Sequence, residues 1–206
     1  MAKELSSNPF IDVSVYLFFE DIADKQGVEG FTNYMIGQAK SLARSVPTEV
    51  YDTWEEFVEA AKNGDSVFSS FEKVDHPQGN CFVTKECPFT VGIKEYIKRL
   101  GDFSKVHMDA TKHYNNTVQP SAAFSKCILH QTYRQEVANR ITIEGKPLRY
   151  AQIATKGYTG DVVTPPSNWE RVLLEKGGIT QTEAYMLLRA NDCLYLLYVD
   201  NMDFKK

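Results

Sequence analysis

The pair with the most chemical potential is Cys87-Pro88, which closes an apolar run and opens a stretch of helical periodicity. A cysteine just ahead of a helix meets unpaired backbone N–H groups and the positive end of the helix dipole. Both favour a thiolate, so such a sulfur is a better nucleophile and a better metal ligand. Proline suits the next position, where its missing N–H has no partner to lose. Free cysteine is also among the most buried residue types, and a packed, inert thiol is the competing reading. His107, Asp109, His113 and Tyr114 follow downstream. In a helix, Asp109 and His113 stand one turn apart on one face, while His107 points elsewhere. Carboxylate and imidazole so placed make a metal half-site or a base oriented by an acid, although a solvated ion pair uses the same spacing. With Cys87 as nucleophile, His107, Asp109 and His113 are the remaining catalytic candidates. Cys87, His107 and His113 are also soft and borderline ligands suited to zinc or iron. Cys127 and His130 fall in an expected strand, where a separation of three puts them on opposite faces. Cys87 is the most reactive thiol on this reading, Cys193 the least, with Cys81 and Cys127 between.

The run Phe82-Val83-Thr84-Lys85-Glu86-Cys87-Pro88-Phe89 resembles the strand and Cys-Pro-aromatic turn of the L-2-amino-thiazoline-4-carboxylic acid hydrolase-like family. In that family a cysteine and then an aspartate follow, with a tyrosine and a proline after them. Here His107, Asp109, Tyr114 and Pro120 occupy comparable places, histidine standing for the cysteine. The Gly-Asp and cysteine that close the family pattern are replaced by Tyr133-Arg134-Gln135-Glu136-Val137. The family is similar to 4-vinyl-reductase-like small-molecule-binding domains, which share an α/β fold with vesicle-transport particle subunits. The likeness spans residues 80–135. It implies a hydrolase-like enzyme acting on a small molecule, in which a thiolate attacks a ring or acyl carbon while a helix N-terminus receives the developing oxyanion. The alternative is a non-catalytic sensor or carrier with an aromatic-lined pocket, for which Tyr114, His130 and Tyr133 are the candidate ligand-binding residues. A protein-interaction subunit is a third possibility.

The elements that must position these residues begin with Pro9, a suitable first helical residue, followed by Ile11, Val15, Phe18 and Ile22 at helical spacing. That helix stops before Gly27, and a second runs from Gly30 to Arg44. Thr53 with Glu56 forms a capping box for a third, ended by Asn63-Gly64. Residues 1–64 are therefore read as helical and 65–206 as sheet-containing. Strands are expected at Ser66–Val74 and Asn80–Lys85 around a His76-Pro77-Gln78-Gly79 turn, then at Phe124–Tyr133, Val137–Ile143 and Leu148–Thr155, with a Glu144-Gly145 turn. Val91–Leu100 reads as a helix, 102–118 as helix or ordered loop, and 158–166 as a loop. Ser167 with Glu170 and Thr180 with Glu183 open short helices separated by Gly177-Gly178. The unbroken apolar run Cys193–Val199 suits a strand buried on both faces. This order gives the α+β class, with a predominantly antiparallel sheet and helices packed on one side.

A chain of 206 residues, 43% hydrophobic and 24% charged, fits one domain over 1–206 with a core that needs no disulfide or structural metal. The net charge is −4 and the basic residues are scattered, so nucleic acid is not the expected partner. Val13–Phe19 is apolar but too short to span a membrane. Four irregularly spaced cysteines and no export signal point to a cytoplasmic protein. No phosphate loop, dinucleotide fingerprint, paired Cys-x-x-Cys or nucleophile elbow is present. The 12 Phe and 11 Tyr, with the apolar runs at Val13–Phe19 and Cys193–Val199, suit a ligand pocket and a homodimer contact.

Overall fold

The computed structural model describes residues 9–69, 73–85, 87, 128–155 and 169–200. Helix α1 (Pro9–Arg44) leaves helical geometry inside its span at Gly27 (φ 66°, ψ −171°). A left-handed φ is open to glycine at little cost. Gly27 thus separates two helices that meet at a kink, as the sequence expects. After strand β1 (Glu49–Tyr51), Thr53 Oγ1 accepts the Glu56 N–H at 3.2 Å to start helix α2 (Trp54–Asn63). The Glu56 carboxylate accepts the N–H of Asp52 at 3.1 Å, one residue earlier than a capping box requires.

Two local expectations are corrected next. In place of a strand over Ser66–Val74 there is a 3₁₀ turn at Val67–Ser69, and strand β2 (Val74–Gln78) begins only at Val74. His76 and Pro77 lie within β2, and the reversal falls at Gly79-Asn80, leading into β3 (Cys81–Thr84). Pro77 is tolerated because β2 is an edge strand whose pairing with β3 shifts register between Asp75 and Gln78.

The larger correction concerns Phe124–Tyr133 and Val137–Ile143. Ile128–Ala138 is helix α3, and strand structure returns only at β4 (Ile141–Ile143). Ile128, Leu129, Gln131, Thr132, Tyr133 and Arg134 are all buried, so the start of α3 lacks the exposed polar face of an amphipathic helix. Glu144 (φ 53°) and Gly145 (φ 74°) then make the two-residue turn into β5 (Lys146–Thr155), both left-handed as a type I′ hairpin demands. Helix α4 (Trp169–Val172) continues as a π-helical turn, Leu173–Gly177. Thr180 and Glu183 form a complete capping box for α5 (Gln181–Ala190), and the last described element is β6 (Cys193–Val199). The segments Val91–Leu100, 102–118 and 158–166, and the Ser167 cap, lie outside the described residues. Among those described, no helix is long and apolar enough to cross a membrane.

The α+β class holds, with a sheet in the order β1-β4-β5-β6-β3-β2. In place of the predominantly antiparallel sheet expected, the sheet is mixed, because β1 joins β4 in parallel. Along β6, Cys193, Tyr195, Leu197 and Val199 face a core built with α1, α2 and α3. Leu194 and Leu196 face a second core with Leu173, Ile179, Ala184 and Leu188 from the α4–α5 segment. Helices therefore cover both faces of the sheet, not one side.

The second layer is fastened at the β2–β3 turn. Gly177 O accepts the Asn80 N–H at 3.1 Å, and a Cβ on Gly79 (φ 57°) would lie 2.1 Å from that oxygen. Gly79→Ala is expected to lower stability by about 2–4 kcal/mol, through a backbone clash added to a disfavoured φ. Equilibrium urea unfolding checks this, with Gly64→Ala as reference, since its added Cβ meets nothing within 4 Å and only the φ of 83° opposes it.

Candidate functional site

Of the residues expected to do chemistry, Cys87 lies at the end of the β3–β6 seam. Its N–H donates to Asp192 Oδ2 at 2.8 Å, and the Asp192 N–H donates to Thr84 O at 2.9 Å. The backbone amide nearest the thiol is thus already held by a carboxylate. Cys87 is 3% exposed, so its thiol is buried like those of Cys81 and Cys193. Cys81, expected to be of middling reactivity, is fully buried, and burial pushes its pKa up to about 12. His107, Asp109, His113, Tyr114 and Cys127 lie outside the described residues. His130 falls within α3 with its side chain outside the described set, so the opposite-face argument built on a strand no longer applies. Tyr133 is buried in the core that α3 shares with α1. Among the described residues no three His, Cys, Asp or Glu side chains gather where they could hold a metal ion.

A different group of residues converges between α3 and the sheet. Phe82, Thr84, Cys193 and Tyr195 alternate onto the face that α3 covers, with Phe82 paired to Tyr195 and Thr84 to Cys193. Gln152 of β5 lies opposite Tyr195 on its other side, and the Tyr150 hydroxyl donates to Gln152 Oε1 at 3.2 Å. Rings run across the strands: His76 stacks on Phe82 at 4.4 Å, and Phe82 on Tyr195 at 6.0 Å. Phe68, from the 3₁₀ turn, closes the layer 5.8 Å from Tyr195 and 6.2 Å from Tyr150.

Into this aromatic layer α3 sends Arg134, only 2% exposed. Its guanidinium carbon lies 4.3 Å from the centre of Phe68 and 5.3 Å from that of Tyr195, and Nη1 donates to the Tyr195 hydroxyl at 3.5 Å. Desolvated cation–π contacts of this kind contribute about 2 kcal/mol against the several kcal/mol that burying a cation costs. Gln131, one turn before Arg134, shares its side of the helix. Gln131 Oε1 and Thr84 Oγ1 are buried without a hydrogen-bond partner. Thr84 does act on the Tyr195 phenol, lowering its pKa, although the two hydroxyls do not meet in ordinary hydrogen-bond geometry. Buried polar atoms lacking partners are uncommon in packed cores and mark places where a further polar group is accommodated.

Sequence reasoning missed this group because Arg134 and Gln131 carry surface residue types. Read as a helix, however, Gln131, Arg134 and Ala138 fall on one stripe, and polar residues on such a stripe are the available signal.

No protein-family model, curated protein or solved structure matches this chain.

Burial raises the Tyr195 pKa to about 12, with the Arg134 charge the largest opposing influence. Tyr195 and Cys81 thus keep their protons when folded at pH values where the unfolded chain has lost them. Above the ordinary values of 9.0 for the thiol and 10.0 for the phenol, the unfolded chain binds fewer protons, so stability falls as pH rises. Below pH 9 this contribution is intact. Each group contributes a slope of up to about 1.4 kcal/mol per pH unit. Denaturant unfolding in steps from pH 7 to 11 is expected to show the loss beginning near pH 9. Cys81→Ala is expected to flatten the interval from pH 9 to 10, and an unchanged slope there would remove Cys81 as its cause.

Proposed function

We propose that this chain binds a small planar organic acid in the layer between α3 and the sheet, the carboxylate on Arg134 and the ring among Phe68, Phe82 and Tyr195. The observation that carries the reading is the buried guanidinium stacked on two rings. A guanidinium is the side chain that matches a carboxylate in bidentate fashion, and the Phe68 and Tyr195 rings beside it suit a planar body. Thr84 Oγ1 supplies a further hydroxyl, and Gln131 Oε1 calls for a donor such as a hydroxyl or amino substituent on the ligand. The aromatic walls suit the apolar body, as in most small-molecule sites.

The hydrolase-like reading is the second; what bears on it is that Cys87 is tied through Asp192 to Thr84, which lines the Arg134 layer. On this reading the Cys87 thiol would give its proton to a base among His107, Asp109 and His113 and attack a ring or acyl carbon of the ligand. The C–N or C–O bond of the leaving group would break as that group takes the proton, and water would then hydrolyse the thioester to free the thiol. The resemblance of the Phe82–Phe89 run to the thiazoline-carboxylate hydrolase-like family agrees with both readings.

Hydroxy- and amino-substituted benzoates, titrated calorimetrically against the corresponding uncharged amides, test recognition. Acids are expected to bind and amides to bind at least tenfold more weakly, since a hydrogen bond to a charged group contributes about 1.5–3 kcal/mol. Arg134→Lys is expected to lose a similar factor, because an ammonium neither stacks nor forks. Equal affinity for acid and amide would sink the proposal. Cys87→Ser separates the two readings: it leaves binding intact on both, and abolishes turnover only if the thiol is the nucleophile.

A further inference from the structure

Phe68 stacks on Arg134 from a 3₁₀ turn of only three residues, Val67–Ser69, which has too few internal hydrogen bonds to hold a ring in place by itself. What holds it is a side chain from the edge of the sheet. Glu49 of β1 accepts three hydrogen bonds: Oε1 from the Val67 N–H at 2.8 Å, and Oε2 from the Ser66 hydroxyl at 2.7 Å and the Tyr51 hydroxyl at 2.8 Å. Ser66 Oγ in turn accepts the Phe68 N–H at 3.2 Å, and Ser66 O accepts both the N–H and the hydroxyl of Ser69. The carboxylate thus fastens the entrance of the turn, and the turn presents the ring. Ser66, Phe68 and Ser69 are all buried, so water does not substitute for these contacts.

We infer that Glu49 is a positioning residue for the Arg134 site, acting through Ser66 and Val67 to set where the Phe68 ring stands. It touches neither Arg134 nor the ligand. Its carboxylate is an acceptor at both oxygens, and all three partners are donors. A glutamine keeps the length and can still accept the Val67 N–H, but it loses the charge. Its amide nitrogen replaces the oxygen that accepts from Ser66 and Tyr51, so both hydroxyls must turn to accept from it. The expected consequence is a turn held less firmly and a Phe68 ring that shifts relative to the guanidinium beside it. The effect on affinity rests on the organic-acid reading above; the effect on the ring and the guanidinium does not.

The test uses the full chain without ligand and reads the ring-current shift that Phe68 imposes on the Arg134 side-chain protons by NMR. Phe68→Leu sets the baseline without the ring. Glu49→Gln is expected to lose at least about half of the shift, in line with the loss of an aligned charge-assisted contact. Glu56→Gln, whose carboxylate takes the Asp52 N–H, is expected to lose none. Benzoate affinity is then expected to fall about threefold to tenfold in Glu49→Gln, on the scale of weakened charge-assisted hydrogen bonds, and to stay unchanged in Glu56→Gln. If Glu49→Gln does not fold, Ser66→Ala takes its place and is expected to lower the shift in the same direction. A folded variant at either position that keeps the full shift overturns the inference. A wild-type chain that shows the shift, loses it in Glu49→Gln and binds no benzoate supports the positioning role, and it is the ligand reading that then falls.

Discussion

Strand β6 has water on neither face. Its backbone is hydrogen-bonded to β3 on one side and β5 on the other, and apart from half-buried Tyr198 its residues are buried. A strand in that position needs cover above and below, and the rest of the fold supplies it. Helices α1, α2 and α3 cover the side of Cys193, Tyr195, Leu197 and Val199, while the α4–α5 segment covers Leu194 and Leu196. At the β2–β3 turn this layer also meets the sheet through a close backbone approach between Gly79 and Gly177.

Within the first of these layers one residue runs against the apolar pattern. Arg134 brings a charge into a region of rings, where it packs against Phe68 and Tyr195 and donates to the Tyr195 hydroxyl. Thr84 and Gln131 each keep a buried polar atom without a hydrogen bond nearby in the fold. A layer selected for stability alone fills such positions with apolar groups of similar volume. Local departures of this kind collect at sites where recognition sets the residue choice. The Glu49 network belongs to the same account, because its carboxylate accepts from Ser66 and Val67 at the start of the turn whose buried ring faces the guanidinium.

What the sequence made legible follows from how local each signal is. Gly27, the Glu144-Gly145 turn, the Thr180–Glu183 box and the Cys193–Val199 run each declare themselves within a few residues, and each appears in the structure. Ile128–Ala138 does not, because β-branched and aromatic residues at a site buried all round look like a strand when only composition is weighed. The two-sided helix cover was also hidden, since nothing local tells which face of a sheet a helix will take. The site was the least legible part. Arg134 and Gln131 acquire meaning only once α3 is known to be a helix and the sheet is known to place Tyr195 and Thr84 beneath it. Cys87, by contrast, stood out in sequence through the turn it occupies.

The two candidate chemistries meet at Asp192. Its N–H is tied to Thr84 O and its carboxylate to the Cys87 N–H, so the end of β3 and the start of β6 move as one piece. Thr84 points into the arginine layer from that piece, and Cys87 continues from it. A backbone amide donated to a carboxylate is an amide withdrawn from the sulfur, which removes part of the stabilisation that a helix N-terminus would give a thiolate. At the seam the Cys87 amide therefore ties the end of β3 to the start of β6 beside Tyr195, while its thiol stays buried.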